Sequence, residues 1–250
     1  MPYREKKIYS GDILEVEIYP IKTWERKQSR AKKEKLTVPK QQRLNDKNAR
    51  KHLVRLINAN FSNRDMAVHL TYDRENLPGS EKEARKDVAN YLRRVKHYIA
   101  KEGLEELKYI AVVEYKEPEG KDKGVRIHHH IIMNGGIDRD KIEELWGKGR
   151  ANADRLKADE YGYEGLARYI SKDPKGNKRW TQSRNLKQPK VKVNDFKYSK
   201  RKVEDISKYP EDRGMFSALY PGYILNDCKV SVNEYTDGRY MYIRMRRLKD

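Results

Sequence analysis

Nine residues near the middle of the chain, Val125-Arg-Ile-His-His-His-Ile-Ile-Met133, constrain its fold more than any other stretch. β-Branched side chains crowd a helix and suit a pleated surface, so the run reads as a strand. Side chains alternate faces along a strand. Ile127, His129, Ile131 and Met133 then share one nearly apolar face, and Arg126, His128, His130 and Ile132 share the other. The first face belongs against a core. The second places His128 and His130 side by side, two residues apart. Imidazole is a common metal ligand that strands rarely need for packing. The pair is therefore a candidate for metal ligation on one side of a sheet.

The neighbouring segments indicate which sheet. Met66 to Tyr72 reads as a strand. Ser80 and Glu83 have the spacing of a capping box. Val88, Tyr91, Leu92, Val95, Tyr98 and Ile99 make one helical stripe that Gly103 ends. Leu107 to Tyr115 is a second strand, Glu117 to Gly124 a turn, and the histidine strand follows. Asp138 opens a short helix through Leu145 and Trp146. Ala151 to Lys157 reads as a fourth strand, and Glu164 to Ser171 as a helix closed by Asp173-Pro174. The order β-α-β-β-α-β is that of a split βαβ, ferredoxin-like (RRM-like) antiparallel sheet, an α+β fold with helices on one face. That arrangement leaves the other face free for a site.

The flanks are less regular. Residues 11–20 alternate as a strand would. From Lys22 to Lys51 there are 12 Lys/Arg against three acidic residues. The middle of this stretch, Gln28 to Lys40, lacks apolar periodicity and reads as a basic arm or a loop ordered by phosphates. Ala49, Leu53, Leu56 and Ile57 recur at helical spacing. Near the C-terminus, Cys228 to Tyr235 and Arg239 to Met245 flank the turn signal Thr236-Asp237-Gly238. With 36% hydrophobic and 38% charged residues, one compact domain with polar extensions is expected. The boundaries are 1–62 for a basic N-terminal extension with a short helix, 63–190 for the central domain, and 191–250 for a C-terminal extension with a β-hairpin.

The formal charge of +19 points to a polyanionic partner, nucleic acid before acidic membrane. No apolar run is long enough to span a bilayer, and the N-terminus lacks the apolar core of a signal peptide. The lone Cys228 offers neither a disulfide framework nor a thiolate metal cluster. A soluble, cytoplasmic protein is expected. The 18 tyrosines against three phenylalanines suit half-buried sheets and base stacking equally.

A third ligand follows from hairpin symmetry. The turn between the second and third central strands centres near Lys121, so His128 lies opposite Glu114. Directly opposed residues of an antiparallel pair share a face. Two imidazoles, one carboxylate and open positions suit a catalytic divalent ion better than a closed structural zinc site. A histidine cluster that binds phosphate or senses pH without metal is the competing reading. His69, on the preceding strand, is a weaker candidate, read as packing or bonding locally. Downstream, Tyr169 and Lys172 sit three apart and share a face of the helix. A phenol is a poor nucleophile unaided, and a nearby cation favours phenolate. Taken alone, Tyr169 reads equally as an anchor of the helix on the sheet.

In sequence order, the strand motif His69-Leu-Thr-Tyr72, the His-x-His strand and Tyr169-Ile-Ser-Lys172 resemble the HUH endonuclease domain of rolling-circle replication initiator (Rep) proteins, of the phage and plasmid type. The resemblance covers roughly residues 65–190, about half the chain. The middle position of the HUH motif is normally hydrophobic and here is His129, which still falls on the apolar face. The resemblance implies Mg²⁺ or Mn²⁺ held by His128, His130 and an acid, placed here at Glu114. It implies attack by Tyr169 on single-stranded origin DNA, a 5′-phosphotyrosine and a free 3′-hydroxyl, with Lys172 positioning or neutralising the phosphate. It also implies a bacterial host. The positions one helical turn from Tyr169 are Gly165 and Asp173, so the pattern is that of a single-tyrosine enzyme. A second strand transfer would then need a dimer partner or water.

Lys175 to Lys190 interleaves six basic residues with Trp180, which suits a single strand with splayed bases. Lys178, Arg179, Trp180 and Arg184 are the candidate DNA contacts; a basic loop covering the sheet is the alternative. No G-x-x-x-x-G-K-[ST] occurs, so a helicase would be a separately encoded partner. A single-tyrosine HUH transposase or relaxase shares the same motifs. A non-catalytic RNA- or DNA-binding protein on an RRM-like sheet accounts for the charge but not for the histidine pair together with Tyr-x-x-Lys.

Overall fold

The computed structural model of the protein describes residues 2–21, 39–116, 125–171 and 179–248. The chain forms two compact units rather than one domain with extensions: a central unit of 60–158 and 163–187, and a terminal unit of 1–59, 159–162 and 188–250. Each is built on a five-stranded antiparallel sheet.

In chain order the elements are β1 (Tyr3–Ser10), β2 (Ile13–Pro20), α1 (Pro39–Asn60), β3 (Met66–Thr71), α2 (Glu81–Lys101), β4 (Tyr109–Lys116), β5 (Val125–Met133) and α3 (Arg139–Glu144). There follow β6 (Ala151–Arg155), α4 (Glu164–Ile170), β7 (Thr181–Gln182), β8 (Lys190–Tyr198), α5 (Lys200–Ser207), α6 (Arg213–Leu219), β9 (Tyr223–Val232) and β10 (Arg239–Arg247).

The central sheet runs β6-β3-β5-β4-β7. Without β7 this is the strand order of the ferredoxin-like fold the sequence predicts. α2 starts where its cap dictates: Ser80 Oγ accepts from the Glu83 N–H, and Glu83 in turn accepts from the Gly79 N–H at 2.8 Å. The helix ends at Gly103, whose φ of +64° suits a residue without Cβ. The inner face of α2 (Ala84, Val88, Tyr91, Leu92, Val95, Ile99) packs on Met66, Val68, Leu70, Ala111, Ile127, Ile131 and Met133, with Ile142 of α3 and Trp146 closing the cluster. Strand alternation sends the remaining side chains of β3, β4 and β5 to the opposite face. That face is not bare, because α4 borders a cleft on it.

The terminal sheet runs β8-β1-β2-β10-β9, so both ends of the chain build one sheet. Its core joins Tyr3, Leu14, Val16, Ile18, Met241, Ile243 and Met245 to Val203 and Ile206 of α5 and Phe216 of α6. β1 escapes the sequence pattern because two of its residues on the core face, Glu5 and Lys7, are charged. Glu5 is fully buried and accepts from Lys197 Nζ at 2.7 Å and Tyr220 Oη at 2.9 Å, with Lys7 Nζ 3.7 Å away. The expected strand over 11–20 is β2, and it forms the second arm of a hairpin with β1. Gly11, at φ +61°, turns β1 into β2 where a Cβ would come within 2.1 Å of the Asn58 carbonyl oxygen. α1 begins at Pro39, well before the apolar periodicity, since Pro suits a first helical position. On its far half Arg55 pairs with Glu15 at 2.6 Å. The basic stretch 22–38, the turn 117–124 and the segment 172–178, with Lys172 and Lys178, lie outside the described residues.

Candidate metal and nucleophile site

The site is built on the register of three strands. β5 pairs with β3 so that His130 faces His69 and His128 faces Thr71; it pairs with β4 so that His128 faces Glu114 and His130 faces Val112. Directly opposed residues share a face, so Glu114, His128, His130 and His69 project together. His129 points the other way. It is fully buried, bonds the Tyr72 hydroxyl through Nε2 at 2.8 Å, and packs edge-on against Tyr72 and Trp146. Trp146 also donates to the Thr71 carbonyl at 2.8 Å. This aromatic clamp fixes β5 from behind, and the clamp is why a third histidine fits an apolar face.

On the open face three donor atoms converge. His128 Nε2 lies 3.1 Å from His130 Nε2 and 3.3 Å from Glu114 Oε2, and His130 Nε2 lies 3.1 Å from the same oxygen. Ligands bound at ~2.1 Å and at right angles to one another sit about 3 Å apart. The three atoms already have that spacing. His128 Nδ1 is 2.8 Å from the Arg126 carbonyl oxygen, which can only accept, so a hydrogen sits on Nδ1 and Nε2 is the nitrogen turned to the cluster. Burial, aided by the His128 and His69 imidazoles, pushes His130 down to about 4, so it is neutral near pH 7. The two Nε2 atoms and the carboxylate oxygen are the kinds of atom that ligate a divalent ion. With their mutual spacing, the donor set fits a divalent ion.

His69, set aside in the sequence as a packing residue, belongs to this cluster. Its ring stacks on His130 with centroids 4.9 Å apart. Its Nε2 is buried with no hydrogen-bond partner, and ligand atoms of His69, His128 and His130 all lie within 4.8 Å of one another. Burial lowers its pKa too. The sequence signal was present in the β3–β5 pairing, which places positions 69 and 130 opposite one another.

α4 supplies Tyr169. Its ring meets His130 edge-on at 5.3 Å, and the residue is 54% exposed. Tyr163, at the start of the helix, is buried and donates to Asn63 Oδ1 at 2.8 Å, which makes it structural. Tyr169 also borders a cleft of about 250 Å³ with His69, His130, Ile132, Asn152 and Asp154. Asn152 and Asp154, on β6, were missed because a single-face polar pair on a short edge strand looks like ordinary surface.

The basic segment after α4 extends the same face. β7 pairs with β4 through Gln182↔Ile110. Ile110, Val112 and Glu114 share a face by alternation, so Gln182 does too. Trp180 donates from Nε1 to Gln182 Oε1 at 2.7 Å and is half-buried on that side. Arg184 is exposed and Arg179 half-exposed. Strands are spaced ~4.8 Å apart, so Trp180 sits roughly two strands, or about 10 Å, from the histidine strand.

Residues 65–174 match the replication-associated protein ORF2/G2P family. The match runs from β3 through α4. It takes in His69, Glu114, His128, His130, Tyr169 and Lys172, and stops short of Arg179, Trp180 and Arg184. The terminal unit lies almost wholly outside the matched region, which is under half of the chain. No curated protein and no solved structure matches the chain. Among the described residues no helix is long and apolar enough to cross a membrane.

Proposed function

We propose that the central unit nicks and rejoins single-stranded DNA at a replication origin, with Tyr169 as nucleophile and a Mg²⁺ or Mn²⁺ site at His128, His130 and Glu114. The observation that carries the reading is the convergence of two imidazole nitrogens and a carboxylate oxygen within 3.3 Å, with the Tyr169 ring against one of the imidazoles. A bound divalent ion would neutralise and polarise the scissile phosphate. His69 is placed to add a third imidazole, a donor set that shifts preference from Mg²⁺ toward Mn²⁺. The Tyr169 oxygen forms a bond to phosphorus as the bond to the 3′ oxygen breaks. The phenol proton passes to solvent, and the departing oxygen takes one up to leave a 3′-hydroxyl. The 5′ end stays on the tyrosine, which conserves the phosphoester for rejoining. Trp180 offers a platform for an unstacked base, and Arg179 and Arg184 contact phosphates. In sequence, Lys172 and Lys178 add to the same basic region.

Transposition and mobilisation use the same chemistry, and the family match favours replication. The test uses labelled single strands tiled across the replicon that encodes the chain, with Mn²⁺, and scores a covalent adduct after denaturation. One tile yields an adduct with wild type and none with Tyr169→Phe. An adduct that survives Tyr169→Phe overturns the nucleophile. Tight binding to a tile with no adduct in either metal replaces the enzyme by a binding module.

A further inference from the structure

The cleft beside Tyr169 carries chemistry that strand transfer itself does not use. Its floor follows from strand register. Asp154 of β6 lies opposite Ala67 of β3, and Ala67 lies opposite Ile132 of β5. Ala67 is the smallest side chain on this face of the three strands, so the sheet is hollow there. Leu166, Tyr169 and Ile170 of α4 line the hollow from the helix side, and the enclosed space is about 250 Å³. That is just under the ~300–1,000 Å³ of pockets for drug-sized ligands, and it suits one planar base between apolar surfaces.

The polar end of the cleft indicates which base. Asn152 and Asp154 line it from the edge strand β6, and Asn152 Nδ2 donates to Asp154 Oδ2 at 2.6 Å. That bond orients the carboxylate, which has about four acceptor positions in all, so the pair presents acceptors to the cleft. A carboxylate repels phosphate, so Asp154 suits the edge of a base rather than the backbone of a strand. Bases splayed from a single strand expose their Watson–Crick edges. Guanine has two adjacent donors there, N1–H and the N2 amino group. Adenine and cytosine set one amino group beside a ring nitrogen that accepts, and thymine sets one N–H between two carbonyls. Each of these three would turn an acceptor toward the carboxylate, which rejects them. β6 is two strands from β5, about 10 Å, so a base held at Asp154 belongs to a nucleotide close to a phosphate at His130. We infer that the cleft is a guanine subsite, in which Asp154 accepts from N1–H and the N2 amino group and Asn152 holds the carboxylate in place. This rests on the nicking reading for the class of substrate, a single strand, and adds the base that the strand must present.

The experiment measures binding of the full chain, without divalent metal, to labelled thymidine strands that carry guanine, inosine, adenine or cytosine at every fourth position. The result is a ratio of affinities at one salt concentration, so the contribution of phosphate contacts cancels. Wild type prefers the guanine strand to the adenine and cytosine strands by about tenfold, as a bidentate contact to a base edge does. Inosine, which lacks the N2 amino group, falls between. Asp154→Asn keeps the shape but turns one acceptor into a donor. It lowers affinity for the guanine strand alone and brings all four strands within about twofold of one another, with circular dichroism unchanged. A residue that only supported the fold would lower all four alike. Equal binding of the four strands by wild type overturns the inference. So does a guanine preference that survives Asp154→Asn, or a uniform loss of affinity in that variant. Because no cleavage is scored, a failed adduct assay would remove the nucleophile and leave these ratios standing, whereas equal ratios would remove the subsite and leave the adduct standing.

Discussion

Each of the two sheets buries a carboxylate, and the two treat it in opposite ways. In the terminal sheet, Glu5 is enclosed by donors: the Lys197 ammonium and the Tyr220 hydroxyl bond one oxygen, and the Lys7 ammonium lies 3.7 Å from the other, which has no hydrogen bond. Glu15 is met by the Arg55 guanidinium and the Tyr242 hydroxyl. In the central sheet, Glu114 is also buried, and the atoms near it include two imidazole nitrogens, one of them held neutral by burial. Arginine, lysine and tyrosine donate permanently near pH 7, whereas a neutral imidazole offers a lone pair. The contrast is between a carboxylate set among cationic and hydroxyl donors and one set beside atoms that can themselves ligate a cation.

The largest expected effect breaks the central half of that contrast. His128→Ala and His130→Ala should each reduce strand cleavage by three orders of magnitude or more, since the charge stabilisation from a bound ion is worth several kcal/mol and each factor of ten is ~1.4 kcal/mol. Thermal unfolding without metal should move less than for His129→Ala, because His128 gives up a single bond, to the Arg126 carbonyl. His129→Ala should do the reverse. Removing a buried ring and its bond to Tyr72 should cost about 2–4 kcal/mol in urea unfolding, with activity per folded molecule largely retained. Equal catalytic losses at all three positions would show that the two faces of β5 do not divide ligation from packing.

A smaller effect tests the carboxylates themselves. Glu5→Ala should destabilise the protein by about 3 kcal/mol, the lower end for breaking a buried pair, because Lys197 keeps a quarter of its side chain in solvent and can turn outward. Glu114→Gln should change metal-free stability by less than ~1 kcal/mol while abolishing cleavage, since the amide cannot balance a cation. Urea unfolding followed by tryptophan fluorescence distinguishes them. If Glu114→Gln proves the more destabilising of the two, Glu114 is a structural charge and the metal reading falls.

The same contrast explains what was legible in the sequence. The central sheet could be read because its core face is apolar, so β5 alternates cleanly and the register with β4 follows from the turn. Glu114 opposite His128 is a consequence of that register alone. The ring of Tyr169 against His130 was not readable, because it depends on where α4 crosses the sheet. His69 was undervalued because, taken alone, a histidine on a strand satisfies packing as well as ligation. The terminal sheet was mostly hidden. β1 turns Glu5 and Lys7 to its core face, β8 carries Lys190 and Lys192 between half-exposed valines, and the ion pairs that make this possible join residues about 190 apart. Local pattern does not reveal a partner so far along the chain, and the result was a second unit read as two extensions.

The smallest effects sharpen the boundary between the units. Mn²⁺ at about a hundred times its dissociation constant should stabilise the folded protein by ~2.7 kcal/mol, seen as a higher Tm that Glu114→Gln does not show. Cys228, on β9 of the terminal sheet, reports the other unit. Burial pushes its thiol up to about 12, with Asp227 adding to the shift. At pH 8 roughly one molecule in ten thousand then carries thiolate, against about one in four for an ordinary thiol, so alkylation by iodoacetamide should be slower by about three orders of magnitude. The sign follows from the raised value: each unit of increase in pH should speed the reaction about tenfold until the thiol titrates. Mn²⁺ should leave that rate unchanged under native conditions, because no group near Cys228 is short of a cation. A metal-dependent slowing of Cys228 alkylation would mean that the ion is held by the terminal unit, and the contrast between the two carboxylates would not locate the site.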